Sequence, residues 1–382
     1  MKKRILVVSI VVLTIFISII ASSYNTNTPK TFTQDGVTYA LTLDGATINA
    51  FPSKGMYRVD VECSNATGKW LYDEWKLAVE DINGTNATCD VSFNTISTTY
   101  LNNYITSLSG STQGTGEVVN ENGYRYEGKN PNNYIWFNNE LWRIIGVFDE
   151  TSHGVSGQNL AKLIKNESIG GLSWDKSSSS NWSTASLNQL LNGSYLNSEN
   201  GTGGEYCYGF RDIPAGNCDY TKTGISDIYR PMIKNVIWHV GGADNANISR
   251  SSVPTAYSYE VGANSSSTTY SAKIGLMYVS DYGYSVLSSS CDRDVKLSNY
   301  DSSSCAGQSW LYSQGSEWTI TTISNSRSNA FRIDTDGNFY QNYYQSYKYY
   351  SYAVRPVLYL DSSVYVIDGN GSISDPYIIG MW

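Results

Sequence analysis

The sequence predicts a β-rich α+β protein: an N-terminal membrane segment, a small all-β sandwich-like module, then a larger domain. Three observations carry this. Short Val, Ile, Tyr and Trp runs are punctuated by Gly, Asn and Asp, the pattern of strands closed by turns. Strong helix formers are scarce, so helices should be few. At 382 residues the chain is long enough for two units, each with its own core.

Charged residues make up 16% of the chain and the formal net charge is −8, which argues against a nucleic-acid partner. The surface is neutral-polar, dominated by Asn, Ser, Thr and Tyr.

In order along the chain, "MKKRILVVSIVVLTIFISIIASS" sets Lys2, Lys3 and Arg4 before an apolar stretch from Ile5 to about Ala21. The basic residues stay on the cytoplasmic side. The stretch is slightly long for a signal-peptide core and slightly short for a relaxed spanning helix, and Ala21 and Ser23 offer a small-residue cleavage site. Residues 1–23 are read as a signal peptide or signal anchor, the uncleaved anchor being preferred. The remainder is expected on the extracellular face of the membrane or secreted.

The cysteines agree with export. All six lie beyond residue 60 and separate into near neighbours, Cys63 with Cys89, Cys207 with Cys218, and Cys291 with Cys305, so three local disulfides are expected. The two histidines, His153 and His239, are far apart and near no cysteine pair, so no metal or cofactor is predicted.

Residues 31–95 read as the small module. "GVTYALTL" follows an Asp-Gly turn, and the runs Tyr57, Val59, Val61, Cys63, then Trp75, Leu77, Val79, then Cys89, Val91, Phe93 alternate with polar residues. A Cys63–Cys89 bridge would staple a thin core, which suits a structural stalk. In residues 96–116, Tyr100, Leu101, Tyr104, Ile105 and Leu108 recur at helical spacing, and "SGSTQGTG" reads as a flexible linker. The larger domain is therefore predicted over 117–382, beginning near Glu117.

Within it, "YIWFNNELWRIIGVF" is a hairpin that turns at Asn138 and Asn139. "STASLNQLLNG" is a helix with Leu187, Leu190 and Leu191 on one face and Gly193 suited to the left-handed position after its last turn. A loop-rich middle follows, a usual carrier of function. Strands are expected at Lys273–Ser280, Glu317–Thr322, Ala330–Ile333, within Tyr340–Leu360 and at Val364–Ile367.

Few residues suggest catalysis. Asp334, Asp336 and Asn338 begin like a calcium loop, but Gly337 and Gln345 fall at the wrong offsets, so a β-turn is the better reading. No phosphate loop or nucleophile elbow is present. Isolated histidines and paired cysteines leave general-base and nucleophilic chemistry few candidates, so no enzyme is predicted.

The segment "FYQNYYQSYKYYSYAVRPVLYL", residues 339–360, carries the functional prediction. Odd positions hold Tyr343, Tyr347 and Tyr349, while even positions hold Tyr340, Tyr344, Tyr350 and Tyr352, so one strand face cannot bury them all. Mixed with Gln341, Asn342, Gln345, Ser346 and Ser351, they have the composition of evolved binding surfaces. The predicted ligand-binding residues are Tyr340, Asn342, Tyr343, Tyr344, Tyr347, Tyr349 and Tyr350. The alternative is a Tyr-rich two-sided strand without a ligand.

The ordered motifs "NNYIWFNNELWRIIGVF", "SLNQLLNG", "KIGLMY", "WLYSQGSEWTIT", "AVRPVLYL" and "DGNGSISDPYII" resemble a family of uncharacterised secreted surface domains from low-G+C Gram-positive gut bacteria. "YRVDVECSNATGKW" resembles that domain's usual companion module. The family is similar to C-type-lectin-like and formylglycine-generating-enzyme-like folds, which implies a C-type-lectin-like domain whose last strand returns to its first. The resemblance further implies that Trp318 and the Val354–Leu358 strand lie in the core and that Arg355 partners a buried carboxylate. It supplies fold and location, not mechanism, and no copper-binding cysteine pair is visible. Target proteins of diversity-generating retroelements also resemble this layout, with a C-terminal segment enriched in Tyr, Asn, Ser and Asp.

Three functions stand open. The first is an anchored, adhesin-like recognition protein binding glycan or protein through the tyrosines. The second is a formylglycine-generating-type enzyme, which needs a free Cys291 or Cys305. The third is a purely structural envelope protein. The sequence does not indicate an oligomeric state.

Overall fold

The computed structural model describes residues 6–7, 31–34, 36–72, 74–82, 86–96, 99–177, 179–265, 268–301, 303–313, 315–324, 329–341 and 350–381. Strand accounts for 38% and helix for 16% of it, so the predicted β-rich class holds and the cores are built from sheet faces. The chain forms two compact units, Met1–Thr98 together with Trp382, and Thr99–Met381.

The first unit contains β1 (Leu6–Val7), β2 (Thr31–Gln34), β3 (Val37–Leu43), β4 (Ala46–Thr47), β5 (Tyr57–Ser64), β6 (Thr67–Leu71), β7 (Lys76–Glu80) and β8 (Ala87–Thr95). One sheet runs β2-β3-β8-β5 with β4 beside β3, and a second runs β1-β7-β6. Strict alternation in β8 buries Ala87, Cys89, Val91 and Phe93 and leaves Thr88 and Asp90 outside. These residues share one core with Val37, Tyr39 and Leu41 of β3 and with Trp70, Leu77 and Val79 of the second sheet. Trp70 meets Phe93 edge-on at 5.0 Å.

Cys63 and Cys89 are directly opposed on β5 and β8, with Cα atoms 4.0 Å apart. The bridge therefore locks the register of neighbouring strands in one sheet rather than joining the two sheets. A side chain at Gly68 would meet the Cys63 sulfur at 2.3 Å, so this strand approaches the bridge only because residue 68 has no Cβ. Of the predicted membrane segment, Leu6–Val7 pairs with β7 and the rest lies outside the described residues. Among the described residues no helix is long and apolar enough to cross a membrane.

The second unit opens with β9 (Thr99–Tyr100), α1 (Leu101–Ser107), β10 (Thr112–Gln113), β11 (Gly116–Asn120), β12 (Tyr124–Gly128), β13 (Tyr134–Phe137), β14 (Glu140–Phe148), α2 (Glu150–His153), β15 (Leu160–Lys165) and β16 (Gly171–Leu172). After α3 (Ser186–Leu190) the chain is loop-rich, with β17 (Val236–His239), α4 (Val253–Glu260), β18 (Thr269–Ala272), β19 (Ile274–Gly275) and α5 (Val279–Tyr284). It closes with β20 (Glu317–Thr322), β21 (Ala330–Ile333), β22 (Phe339–Gln341), β23 (Tyr352–Ala353), β24 (Val357–Tyr359), β25 (Val364–Asp368) and β26 (Tyr377–Met381).

An eleven-stranded sheet follows the order β10-β11-β12-β14-β13-β26-β25-β9, with β15 on β14, and β24 joining β15 to β19. The sheet is curled, and β14 carries a register shift between Ile144 and Gly146. A separate five-stranded sheet runs β16-β23-β20-β21-β22. The predicted hairpin is β13–β14, turning through Asn138 and Asn139 at φ 57° and 60°, the left-handed pair of a type I′ turn.

Four expectations need correction. The helix near residue 101 exists, but Leu101 and Ile105 are buried in the larger core and β9 pairs with β25, so the second unit begins at Thr99 rather than near Glu117. The supposed linker "SGSTQGTG" forms β10 and the first residue of β11, two strands hydrogen-bonded to each other. Gly193 is not left-handed: at φ −104°, ψ −105° it lies in a wide turn, Leu191–Tyr195, that keeps Leu191 and Tyr195 buried. The Asn192 side chain there pairs with both backbone groups of Ile274. Lys273–Ser280 is strand only at Ile274–Gly275, because the Glu260 carboxylate accepts from the backbone of Val279 and Ser280 and starts α5 instead.

Candidate functional site

The tyrosine tract is framed by the five-stranded sheet. Its two described ends lie three strands apart, β22 at the sheet edge and β23 between β16 and β20. Tyr340 sits in β22 opposite Arg332 of β21. Asn342, Tyr343, Tyr344, Tyr347 and Tyr349 lie outside the described residues. Tyr350 is half-buried and stacks on Tyr352, with ring centres 5.4 Å apart and planes 13° from parallel.

The first end is fixed by the turn before it. Gly337 takes φ 86° and accepts through its carbonyl from the Tyr282 hydroxyl at 3.1 Å, while Phe339 meets the Tyr282 ring edge-on at 5.1 Å. Asp334 accepts from Ser316 Oγ at 2.7 Å and from Arg332 Nη2 at 2.6 Å. Burial pushes the Asp334 carboxyl up, but these hydrogen bonds outweigh it and hold the group below its ordinary value. Asp334-Thr335-Asp336-Gly337 is therefore a turn, as predicted.

The second end is fixed from below. Tyr352 pairs with Leu172 of β16, and Ala353 donates its N–H to the Ser316 carbonyl at 3.0 Å. Around the Tyr352 ring stand Trp318, edge-on at 4.7 Å, the Tyr350 ring, and the Arg332 guanidinium at 4.6 Å from the ring centre. Just after β23, Arg355 reaches the buried Glu317 carboxylate, the partner the resemblance implied, and Trp318 is buried as expected.

The sheet also brings up a neighbour that sequence reasoning missed. Just beyond β16, the Ser173 N–H donates to the Tyr208 carbonyl at 2.8 Å, which sets the loop closed by Cys207–Cys218 against β16, the edge strand that pairs with β23. A side chain at Gly170 would lie 2.2 Å from Asn217 Nδ2, so strand and loop are in close approach. This loop presents Phe210 and Ile213 at 48% and 61% exposure, with Tyr206 also exposed. The signal was in "CYGFRDIPAGNC", whose apolar residues have no alternating partners within a short cysteine-closed loop.

No protein-family profile, curated protein or solved structure matches this chain.

The other candidate chemistry is accounted for by packing. The cysteines form the three expected bridges, and Cys291 and Cys305 are bonded to each other. His153 is buried, its Nε2 on the Phe148 carbonyl and its Nδ1 accepting from the Val155 N–H. Among the described residues no group of three or more His, Cys, Asp or Glu converges to hold a metal.

Proposed function

We propose that the chain is an extracellular recognition protein, held by its N-terminal segment, that binds glycan or protein through the tyrosine tract and the adjoining Cys207–Cys218 loop. Three disulfides accord with an extracellular or secreted protein. The observation that carries the reading is the stacked Tyr350–Tyr352 pair on the five-stranded sheet, whose edge strand β16 also holds the loop that exposes Phe210 and Ile213. Rigid rings on a fixed base lose little entropy on binding and can stack on sugar faces or pack against protein.

A C-type-lectin-like assignment for the second unit draws support from its end strands, since β25 pairs with β9. Formylglycine-type oxidation requires a free thiol at Cys291 or Cys305, and these two are bridged. Diversification by a retroelement would appear as sequence variation confined to residues 324–352 among copies of the gene.

The test is binding of the purified chain to a glycan and mucin array, beside a variant with Tyr340, Tyr343, Tyr344, Tyr347, Tyr349 and Tyr350 changed to Ser. Binding by the parent that is lost in a folded variant is expected. Equal binding by both places the site elsewhere, and no binding by the parent removes the glycan reading and leaves protein partners or a structural role.

A further inference from the structure

Inside the second unit, Lys162 of β15, Arg125 of β12 and Asp281 of α5 meet at 1%, 2% and 2% exposure. Lys162 Nζ lies 2.5 Å from Asp281 Oδ2, and Arg125 Nη1 lies 3.0 Å from Oδ1. Oδ2 also accepts the Tyr278 N–H at 2.9 Å. Aromatic rings close around the ammonium, with the centres of Tyr278, Tyr359, Phe148 and Trp238 at 4.4, 5.5, 5.6 and 5.6 Å. The space between these groups has no room for a water molecule.

An amine and a carboxyl held in contact in a dry, apolar chamber are reactants as well as an ion pair. We propose that Lys162 and Asp281 condense into an isopeptide bond that ties β15 to the first turn of α5. One proton passes from Lys162 Nζ to an Asp281 carboxylate oxygen. The neutral nitrogen then adds to Asp281 Cγ, and the oxyanion that forms at Oδ1 is held by Arg125, while Oδ2, the oxygen that faces Lys162, carries the transferred proton. A second proton moves from the nitrogen to the hydroxyl, the C–O bond breaks and one water leaves. Ammonium plus carboxylate thus becomes amide plus water, with no oxidant, cofactor or external acid.

Three physical effects favour this direction. Reacting groups fixed in contact have effective concentrations of about 10⁵–10⁸ M. Water, needed for the reverse reaction, is excluded once it has left. Each buried ion gives up its hydration, and condensation removes one of each sign, leaving the net charge of the chamber unchanged. Burial also pushes the Lys162 ammonium below its ordinary value, toward the neutral nucleophile. Lys162 and Arg125 together hold Asp281 low against its own burial, which opposes the first proton transfer; the loss of both buried charges in the product offsets it.

The test is tryptic mapping of the full chain after reduction and alkylation. The expected product is one branched species in which residues 144–165 are joined to residues 274–293, lighter by one water than the two peptides together and uncut after Lys162. Lys162→Arg and Asp281→Ala should each abolish it, and Asp281→Asn should give the same branched peptide with loss of ammonia. Separate peptides from the folded parent, with trypsin cutting after Lys162, would overturn the proposal whether or not the variants fold.

Discussion

Arg355 and Glu317 form a two-pronged pair, Nε to Oε1 and Nη2 to Oε2, each at 2.8 Å, with both side chains buried. Nη2 also donates to the Leu311 carbonyl. The pair fastens the chain just after β23 to the start of β20.

Removing one partner leaves the other charge stranded. Glu317→Ala or Arg355→Ala should lower unfolding free energy by about 3–5 kcal/mol, read from urea melts. Arg355→Lys should not restore it, because an ammonium lacks the planar fork. Combining Glu317→Leu with Arg355→Met should recover most of the loss, and failure to do so would mean the pair contributes more than its desolvation removes.

The two turn asparagines should respond in opposite directions. Asn139 is exposed, so Asn139→Gly relieves a left-handed residue and should add up to about 1 kcal/mol. Asn138 is buried and its amide bonds the Gly224 carbonyl and the Ser226 N–H, both at 2.9 Å. Asn138→Gly should therefore lose about 1–3 kcal/mol. Equal effects in thermal melts would rule out this account.

His153 should make the fold acid-sensitive. Its Nδ1 accepts the Val155 N–H, so a second ring proton would point at that donor, and burial pushes the imidazole below its ordinary value of 6.5. The unfolded chain then takes up the proton first, and stability present at neutral pH is lost as pH falls below 6.5 toward the folded value. Burial of Glu127 and Glu260 raises their pKa and acts oppositely, adding stability below about 4.5 that is lost as pH rises through their folded values. Comparing the parent with His153→Phe separates the two: the variant should lose less stability between pH 7 and about 5. Parallel curves would contradict it.

Tyr350 and Tyr352 should separate binding from folding. Tyr350→Ser removes one ring contact and should cost about 0.5–1.5 kcal/mol of stability while weakening ligand binding. Tyr352→Ser strips the ring shared by Trp318, Tyr350 and Arg332 and should cost more, about 2–4 kcal/mol. Titration of the ligand against each variant, alongside its melting curve, decides whether the outer ring recognises a partner.

Local chemistry was legible where it was self-contained. The Asn-Asn turn, the alternation of β8 and the strand Glu317–Thr322 each rest on neighbours in sequence, and the structure places them where the pattern does. What escaped depended on distant partners. The start of α5 is specified by Glu260, and the Gly-rich stretch before Glu117 is strand because β11 lies beside it. Of the predicted ligand residues, Tyr350 is seen stacked on Tyr352 and Tyr340 in the edge strand, while the exposure of Phe210 and Ile213 and the Ser173–Tyr208 contact that fixes their loop appear only in the structure.

The pairing of β9 with β25 also constrains the order of events as the chain matures. In a polypeptide made N-terminus first, Thr99 and Tyr100 emerge long before their partners Val366 and Tyr365. Until then α1 has no finished sheet to rest on, and β13 lacks its neighbour β26. Closure of the unit therefore waits on a long-range pairing, the kind of contact that forms slowly because a long loop must close first.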